Sequence, residues 1–290
     1  MKILILGAKG NLGRQLTNIF KNGYEAVAWD REDLDITDKD SVFKKIKDVN
    51  PDVIINSAAY NAVDKCETDE MELDLAKKIN GAAVGYLSEA ALKNNAVLVH
   101  YSSAYVFGGE NKNGYKEDDE PNPISKYGET KLMGERTIID AGKQGLKYYL
   151  IRASKLFGPQ AISKASKPSF FDIMLKLAES KNEIDAVDEE MSCFTYTPDL
   201  AKATKDLIEN KKPYGIYHIA NSGYCTWYEA AKELFNIAGF NIKVNPVSAG
   251  KFPRPAKRPK YSILLNTKFK PMRDWREALR EYLLILNKEL

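Results

Sequence analysis

The stretch "KILILGAKGNLGRQLTNIF", residues 2–20, decides the fold. It opens with an apolar run, turns through Gly7, Gly10 and Gly13, and continues with Leu12, Leu16, Ile19 and Phe20 spaced along one helical face. A strand, a glycine turn and an amphipathic helix in that order form the first unit of a dinucleotide-binding sheet. The glycines permit a tight turn and close approach of a diphosphate, which rests on the positive end of the helix. Three glycines alone mark only a turn; the flanking strand and helix give the motif its weight. Gly7, Gly10 and Gly13, with Asn11 and Leu12 opening the helix, are therefore expected at the cofactor.

The same alternation continues outward. "EAVAWD", "DVIINSAA", "AVLVHYSS" and "KYYLIRAS" are continuous apolar runs, as in a parallel sheet covered on both faces. Between them "SVFKKIKDV", "LAKKINGAAVGYLSEAALKN" and "SKYGETKLMGERTIIDAG" have helical spacing. This is the pattern of an α/β protein with a Rossmann-type doubly wound parallel sheet. Residues 1–155 are expected to form the dinucleotide-binding domain. The more mixed residues 156–290, with helical segments such as "SFFDIMLKLAES" and "TWYEAAKELFNIAG", are expected to form a smaller substrate-binding lobe interleaved with it.

Composition narrows the function. The 290 residues are 44% hydrophobic, enough for a sizeable core. A net charge of +3 does not call for nucleic acid as a partner. No run approaches the roughly 18 apolar residues of a membrane span. Cys66, Cys193 and Cys225 are far apart and form no CxxC pair, which points to a reducing cytoplasm and away from a zinc or other metal site.

Asp30 ends the second strand, 17 residues after Gly13. A carboxylate there binds adenosine ribose hydroxyls, as in NAD sites, whereas Arg31 beside it suits the 2′-phosphate of NADP. Either NADPH or NADH is therefore the expected cofactor. Asp35 and Ile36 are expected to flank the adenine, and Ala58, Ala59 and Tyr60 to lie where the cofactor leaves the third strand.

Tyr127 and Lys131 in "SKYGETK" are spaced i, i+4 on a helix and share one face. A nearby ammonium favours tyrosinate and lowers the phenol from its usual value of about 10, which suits proton exchange with a substrate oxygen. Ser103, 24 residues earlier in "VHYSSAYVFGG", supplies a hydroxyl for a substrate carbonyl. Tyr101 and Tyr105 are expected at cofactor and substrate. Asn80 sits in a predicted helix that it suits poorly, and is read either as a cofactor-side residue near Lys131 or as a locally satisfied polar group. His100, His218, Phe170–Phe171 and Trp227–Tyr228 read as core.

Together, GxxGxxG, Asp30, "NSAAY", Asn80, Ser103 and YxxxK resemble the extended short-chain dehydrogenase/reductase superfamily. More closely the chain resembles the dTDP-4-dehydrorhamnose reductase family over nearly its whole length. The matching stretches are "PDVIINSAAYNAVDKCE", "VHYSSAYVFGG", "YGETKLMGE", "FTYTPDLA", "GIYHIANSGYCTWYEAA" and "RPAKRPKYSILLN". The resemblance implies reduction of a nucleotide-linked 4-keto sugar by NAD(P)H. Tyr127 would donate the proton, Lys131 would tune it and hold the nicotinamide ribose, and Ser103 would stand where the family has threonine. A nucleotide sugar is the expected partner, and a homodimer the expected assembly. Two other readings keep the fold: an epimerase with tightly held NAD, suggested by "SSAYVFG", and a non-catalytic regulatory subunit.

The resemblance breaks at three places. Ala104 replaces the family's aspartate, Lys155 replaces a tryptophan packed on the sugar, and Glu189–Glu190 replaces Asp-Gln. Losing a carboxylate and gaining a lysine both make the pocket more positive, as suits a sugar with an acidic group. Arg254 and Arg258, in the stiff basic run "FPRPAKRPKYS", are expected to clamp the substrate diphosphate.

Overall fold

The computed structural model describes residues 1–161, 163 and 166–289, with residues 287–289 described by backbone alone. Strands β1 (Lys2–Leu6), β2 (Glu25–Trp29), β3 (Val53–Asn56), β4 (Val97–Ser103) and β5 (Tyr148–Ala153) occupy the five apolar runs. Helices α1 (Asn11–Phe20), α2 (Lys39–Val49), α3 (Lys65–Thr68), α4 (Glu70–Lys77), α5 (Ala83–Lys93) and α6 (Lys126–Lys143) connect them. Local signals start several of these helices: Asp38, Asp69 and Ser125 accept hydrogen bonds from first-turn N–H groups of α2, α4 and α6.

The main sheet is parallel; with β10 (Gly215–His218) at one edge its order is β10-β5-β4-β3-β1-β2. The chain leaves β1 for β2 on one side and returns to β3 on the other, so the carboxyl ends of β1 and β3 frame a switch-point crevice. One core layer packs α1 and α8 (Thr197–Glu209) on the sheet through Leu16, Phe20, Tyr101 and Leu207. The other packs α2, α5 and α6 through Leu6, Ile54, Leu87 and Ile138.

The second half contributes β6 (Leu156–Phe157), α7 (Phe170–Ala178), β7 (Glu183–Val187), β8 (Met191–Ser192), β9 (Thr195–Tyr196), α8 (Thr197–Glu209), β10 (Gly215–His218), α9 (Trp227–Ala238), β11 (Lys243–Val247), β12 (Tyr261–Ser262) and α10 (Trp275–Glu289). The chain does not simply change layers at residue 155. Helix α8 packs on α1, and β10 joins β5 as the sixth strand of the main sheet. The remaining elements gather around an aromatic core of Phe157, Phe171, Phe194, Tyr196, Trp275 and Tyr282. Both α7 and α9 begin with capping boxes, Ser169/Asp172 and Thr226/Glu229. Among the described residues no helix is long and apolar enough to cross a membrane.

Beneath α6 lies a buried ion pair. Arg152 of β5 donates through Nε (3.0 Å) and Nη2 (2.7 Å) to the two carboxylate oxygens of Glu135, and both side chains are almost wholly buried. The guanidinium also donates to the Glu117 carbonyl and meets His218 Nε2. Removing one charge of such a pair strands the other in a low dielectric. Glu135→Gln is expected to destabilise the protein by about 3–5 kcal/mol, read as a lowered urea midpoint. A change below about 1 kcal/mol would mean that Arg152 finds compensation elsewhere.

Candidate active site

Two glycines of the turn are dictated by packing. Gly7 has φ +75°, and a Cβ there would lie 2.7 Å from Ala58 N; a Cβ on Gly13 would lie 2.0 Å from the Gly7 carbonyl oxygen. Gly10 has ordinary φ, and a Cβ there would meet only the Gly7 carbonyl, at 3.3 Å. Internal packing therefore constrains position 10 far less than positions 7 and 13. No side chain caps α1, and its first turn holds no acidic residue, so its N–H groups remain available to an anion. This cradle fits a dinucleotide diphosphate.

Asp30 stands at the end of β2 with its carboxylate fixed by the backbone N–H groups of Lys9 (2.8 Å) and Arg31 (2.8 Å). Arg31 is exposed, with Nε 3.6 Å from Asp35. The Asp35 carboxylate also accepts from the Thr37 N–H and hydroxyl. Ile36 does not offer its side chain to the cleft: it is buried in the core beside Leu34 and Val42. Gln160 and Ser163 cross the glycine turn, through Arg14 Nη1 to the Gln160 carbonyl (2.7 Å) and Ser163 N–H to the Lys9 carbonyl (3.0 Å). That crossing carried no sequence signal.

Ala58, Ala59 and Tyr60 are half-buried along the crevice. Asn80 holds this loop. Its Oδ1 accepts from Tyr60 N–H (2.9 Å), and its Nδ2 donates to the Tyr60 carbonyl (2.9 Å) and to Thr130 Oγ1 on α6 (3.1 Å). Asn80 lies in a π-helical turn, Lys78–Ala82, and is 1% exposed. It is thus a clamp between the crevice loop and α6, and its own amide is spent on protein. Tyr101 is corrected in the same way. Its ring is in the core and its hydroxyl bonds Thr204 Oγ1 (2.8 Å), while its backbone carbonyl accepts from Lys131 Nζ (2.7 Å).

Tyr127 and Lys131 share the face of α6 that meets β4. Gly128 permits this contact, because a Cβ there would lie 2.3 Å from the Tyr105 carbonyl oxygen. The Tyr127 hydroxyl donates to Asn61 Oδ1 (3.2 Å), and its ring meets Tyr105 edge-on at 5.9 Å. Burial raises the Tyr127 hydroxyl above its ordinary value, Tyr105 adds to this, and a hydrogen bond with Ser103 pulls it partly back. The expected lowering by Lys131 is therefore reversed here. The ammonium points to the Tyr101 carbonyl, and desolvation dominates. Asn61 was missed by sequence reasoning, although it directly follows Tyr60 in "SAAYN".

At the sugar end the three departures separate. Ala104 is fully buried among Val106, Phe107, Cys193 and Leu264, so its side chain does not face the cleft. Lys155 is half-buried, its Nζ 3.3 Å from the centre of the Trp227 ring. Glu190 is buried, pairs through both oxygens with Arg254, and accepts from Trp227 Nε1 (2.9 Å). Glu189 instead accepts from the Ala249 N–H near the surface. Arg258 grips Asp64 through Nη1 (3.0 Å) and Nη2 (2.7 Å). Neither Arg254 nor Arg258 is the free cation expected from the basic run; each already holds a carboxylate. Trp227, read as core, packs against the aromatic core and also carries the Lys155 ammonium on its ring face.

A family model described as "RmlD substrate binding domain" matches residues 1–287. The spore coat polysaccharide biosynthesis protein SpsK of Bacillus subtilis (strain 168) is 37% identical, with 97% of this chain and 96% of that protein covered. A dTDP-4-dehydrorhamnose reductase structure from Clostridium acetobutylicum superposes with a TM-score of 0.91 at 40% identity, covering 99% of this chain and 100% of that one. The Bacillus anthracis dTDP-4-dehydrorhamnose reductase, solved in complex with NADP, gives a TM-score of 0.90 at 34% identity, covering 98% and 99%. The chain belongs to the dTDP-4-dehydrorhamnose reductase family. It is accordingly an NAD(P)-dependent oxidoreductase.

Lys131 is 2% exposed, and burial pushes its ammonium down to about 8, with Glu135 opposing. Between that value and the ordinary 10.5 the native state holds fewer protons than the unfolded chain, so the burden of the buried charge lifts as pH rises through this window. Wild type is therefore expected to gain stability relative to Lys131→Met from pH 8 upward, by up to about 3 kcal/mol. Urea unfolding at a series of pH values reads this. A pH-independent difference would place the titration of Lys131 near its ordinary value.

Proposed function

We propose that the protein reduces the 4-keto group of a nucleotide-linked deoxysugar, with Ser103, Tyr127 and Lys131 as the catalytic residues. The observation that carries this reading is that Ser103 ends β4 where Tyr127 packs on Tyr105 and the buried Lys131 ammonium bonds the Tyr101 carbonyl, at the carboxyl end of the sheet that also bears the glycine cradle. Gly7, Gly10, Asn11, Leu12 and Gly13 would hold the dinucleotide diphosphate, and Asp30 with Arg31 the adenosine ribose. When bound, NADPH or NADH supplies the hydride.

The protein's own residues do the rest. Ser103 donates to the keto oxygen and fixes its direction. Tyr127, kept protonated by its raised pKa, gives its proton to the developing alkoxide; its ordinary link to Asn61 is exchanged for the substrate oxygen. Lys131 has one N–H on the Tyr101 carbonyl and two left for the cleft, one suited to the nicotinamide ribose. Its charge favours the tyrosinate left after proton transfer. Labour is divided: the layer carrying the main sheet binds the dinucleotide, and the lobe of α7, α9 and α10 with its flanking loops binds the sugar nucleotide. We assign the work to the cytoplasm, in keeping with three free, buried cysteines. The assembly is assigned as a homodimer, which sedimentation reads directly.

Oxidation of NADPH and NADH in the presence of dTDP-4-dehydrorhamnose tests the reaction. Tyr127→Phe is expected to lower kcat by about 10² or more while cofactor affinity, measured by calorimetry, stays near wild type. Unchanged turnover would remove Tyr127 from the role of acid. NAD that survives gel filtration, with exchange at C4 and no net reduction, would instead make the protein an epimerase.

A further inference from the structure

Lys155 lies between β5 and β6 with φ +41°, a left-handed conformation rare for a long side chain. Three hydrogen bonds from one residue hold it there. Ser154 N–H donates to Thr195 Oγ1 (3.3 Å), the Thr195 hydroxyl donates to the Ser154 carbonyl (2.6 Å), and Thr195 N–H donates to the Lys155 carbonyl (3.2 Å). Strained backbone persists where its surroundings over-determine it, and such places gather at functional sites.

The conformation sends the ammonium over the Trp227 ring, with Nζ 3.3 Å from its centre and 5.6 Å from that of Phe194. Among the described residues no carbonyl or carboxylate accepts a hydrogen bond from it. The charged and titratable groups that act on it are Glu190, Cys225, Arg254 and Cys193. Both thiols are neutral, pushed by burial to about 12 at Cys225 and about 11 at Cys193. Glu190 is held by Arg254 and Trp227; its charge reaches Lys155 more strongly than that of Arg254, but it makes no ion pair with the ammonium. Among the described residues Lys155 has no ion-pair partner of its own. Glu190 and Arg254 act on Lys155 and also on Tyr105, whose ring meets Tyr127 edge-on.

We propose that Lys155 determines specificity by pairing with a carboxylate carried by the sugar of the substrate. This rests on the reading of the site as one for a nucleotide-linked keto sugar, and names the class of sugar. A neutral hydroxyl would accept a hydrogen bond but leave the charge uncompensated; a carboxylate does both. The indole beneath holds the ammonium in place and leaves its other side to the ligand. Burial pushes free Lys155 down to about 7, so a carboxylate must bring a proton with it when it binds above that pH.

The test is calorimetric titration of the protein with dTDP, dTDP-glucose and dTDP-glucuronate. Wild type is expected to bind the glucuronate about tenfold more tightly than the glucose at about pH 6, with the ratio falling as pH rises through 7 to 9. Glucuronate binding above pH 7 takes up a proton, visible as a heat that changes with the buffer. In Lys155→Met the ratio falls to about one, and in Lys155→Arg it persists and loses its pH dependence. Equal affinity for the two sugars in wild type, or a preference surviving in Lys155→Met, overturns the proposal. Failure of dTDP itself to bind overturns the reading of the site, and this inference with it.

Discussion

Backbone lies on backbone where β1 and β3 end, and the cleft depends on that contact. Gly7 turns with positive φ against Ala58 N, and Gly13 closes from the other side onto the Gly7 carbonyl. Any side chain at either position would push the first helix away from the sheet. With both absent, the N-terminus of α1 points into the crevice at the topological switch point, and Gly10 is left with the open side. The consequences run across the sheet. Asn80 ties the loop after Ala58 to Thr130 on α6, and Gly128 lets α6 press on Tyr105. Tyr127 and Lys131 therefore reach β4 at the edge where the cradle ends. The glycine turn and the Tyr127–Lys131 pair are held in one geometry by close backbone approaches and one buried amide.

Much of this was legible in the sequence, for identifiable reasons. A covered parallel strand must be apolar on both faces, so β1 to β5 stand out as continuous runs. Tyr127 and Lys131 could be paired because helical spacing alone puts them on one face. What was not legible was direction. "HYSS" alternates across β4, and the sequence does not say which face is the cleft; Tyr101 went to the core and offers only its carbonyl. Ala104 was expected at the sugar, yet the short helical turn after β4 folds it inward. The basic run predicted free cations, but Asp64 and Glu190 lie 194 and 64 residues from the arginines they hold. The return of β10 to the main sheet is likewise long-range, and the two-residue strands β6, β8, β9 and β12 are too short to show a period.

Charge in the cleft is divided by residue type. Away from the glycine turn, three arginines are paired with carboxylates: Arg152 with Glu135, Arg254 with Glu190, Arg258 with Asp64. The two lysines are not. Lys131 rests on a carbonyl and Lys155 on an indole, and burial lowers both, to about 8 and about 7.

That division follows from what each side chain can give up. A guanidinium stays charged under all ordinary conditions, so a buried arginine without a carboxylate would leave a permanent cost in the folded state. An ammonium can release its proton when desolvated and take it back when a negative group arrives. The arginines therefore hold the lobe and the sheet together with charge that is already balanced. The lysines keep theirs unbalanced, and their equilibrium can answer a ligand. Lys131 shares a helix face with Tyr127, and Lys155 stands beside Glu190 and Arg254, whose charges also reach Tyr105. A cleft built this way stays affordable to the fold at neutral pH and becomes fully positive only when bound anions compensate it.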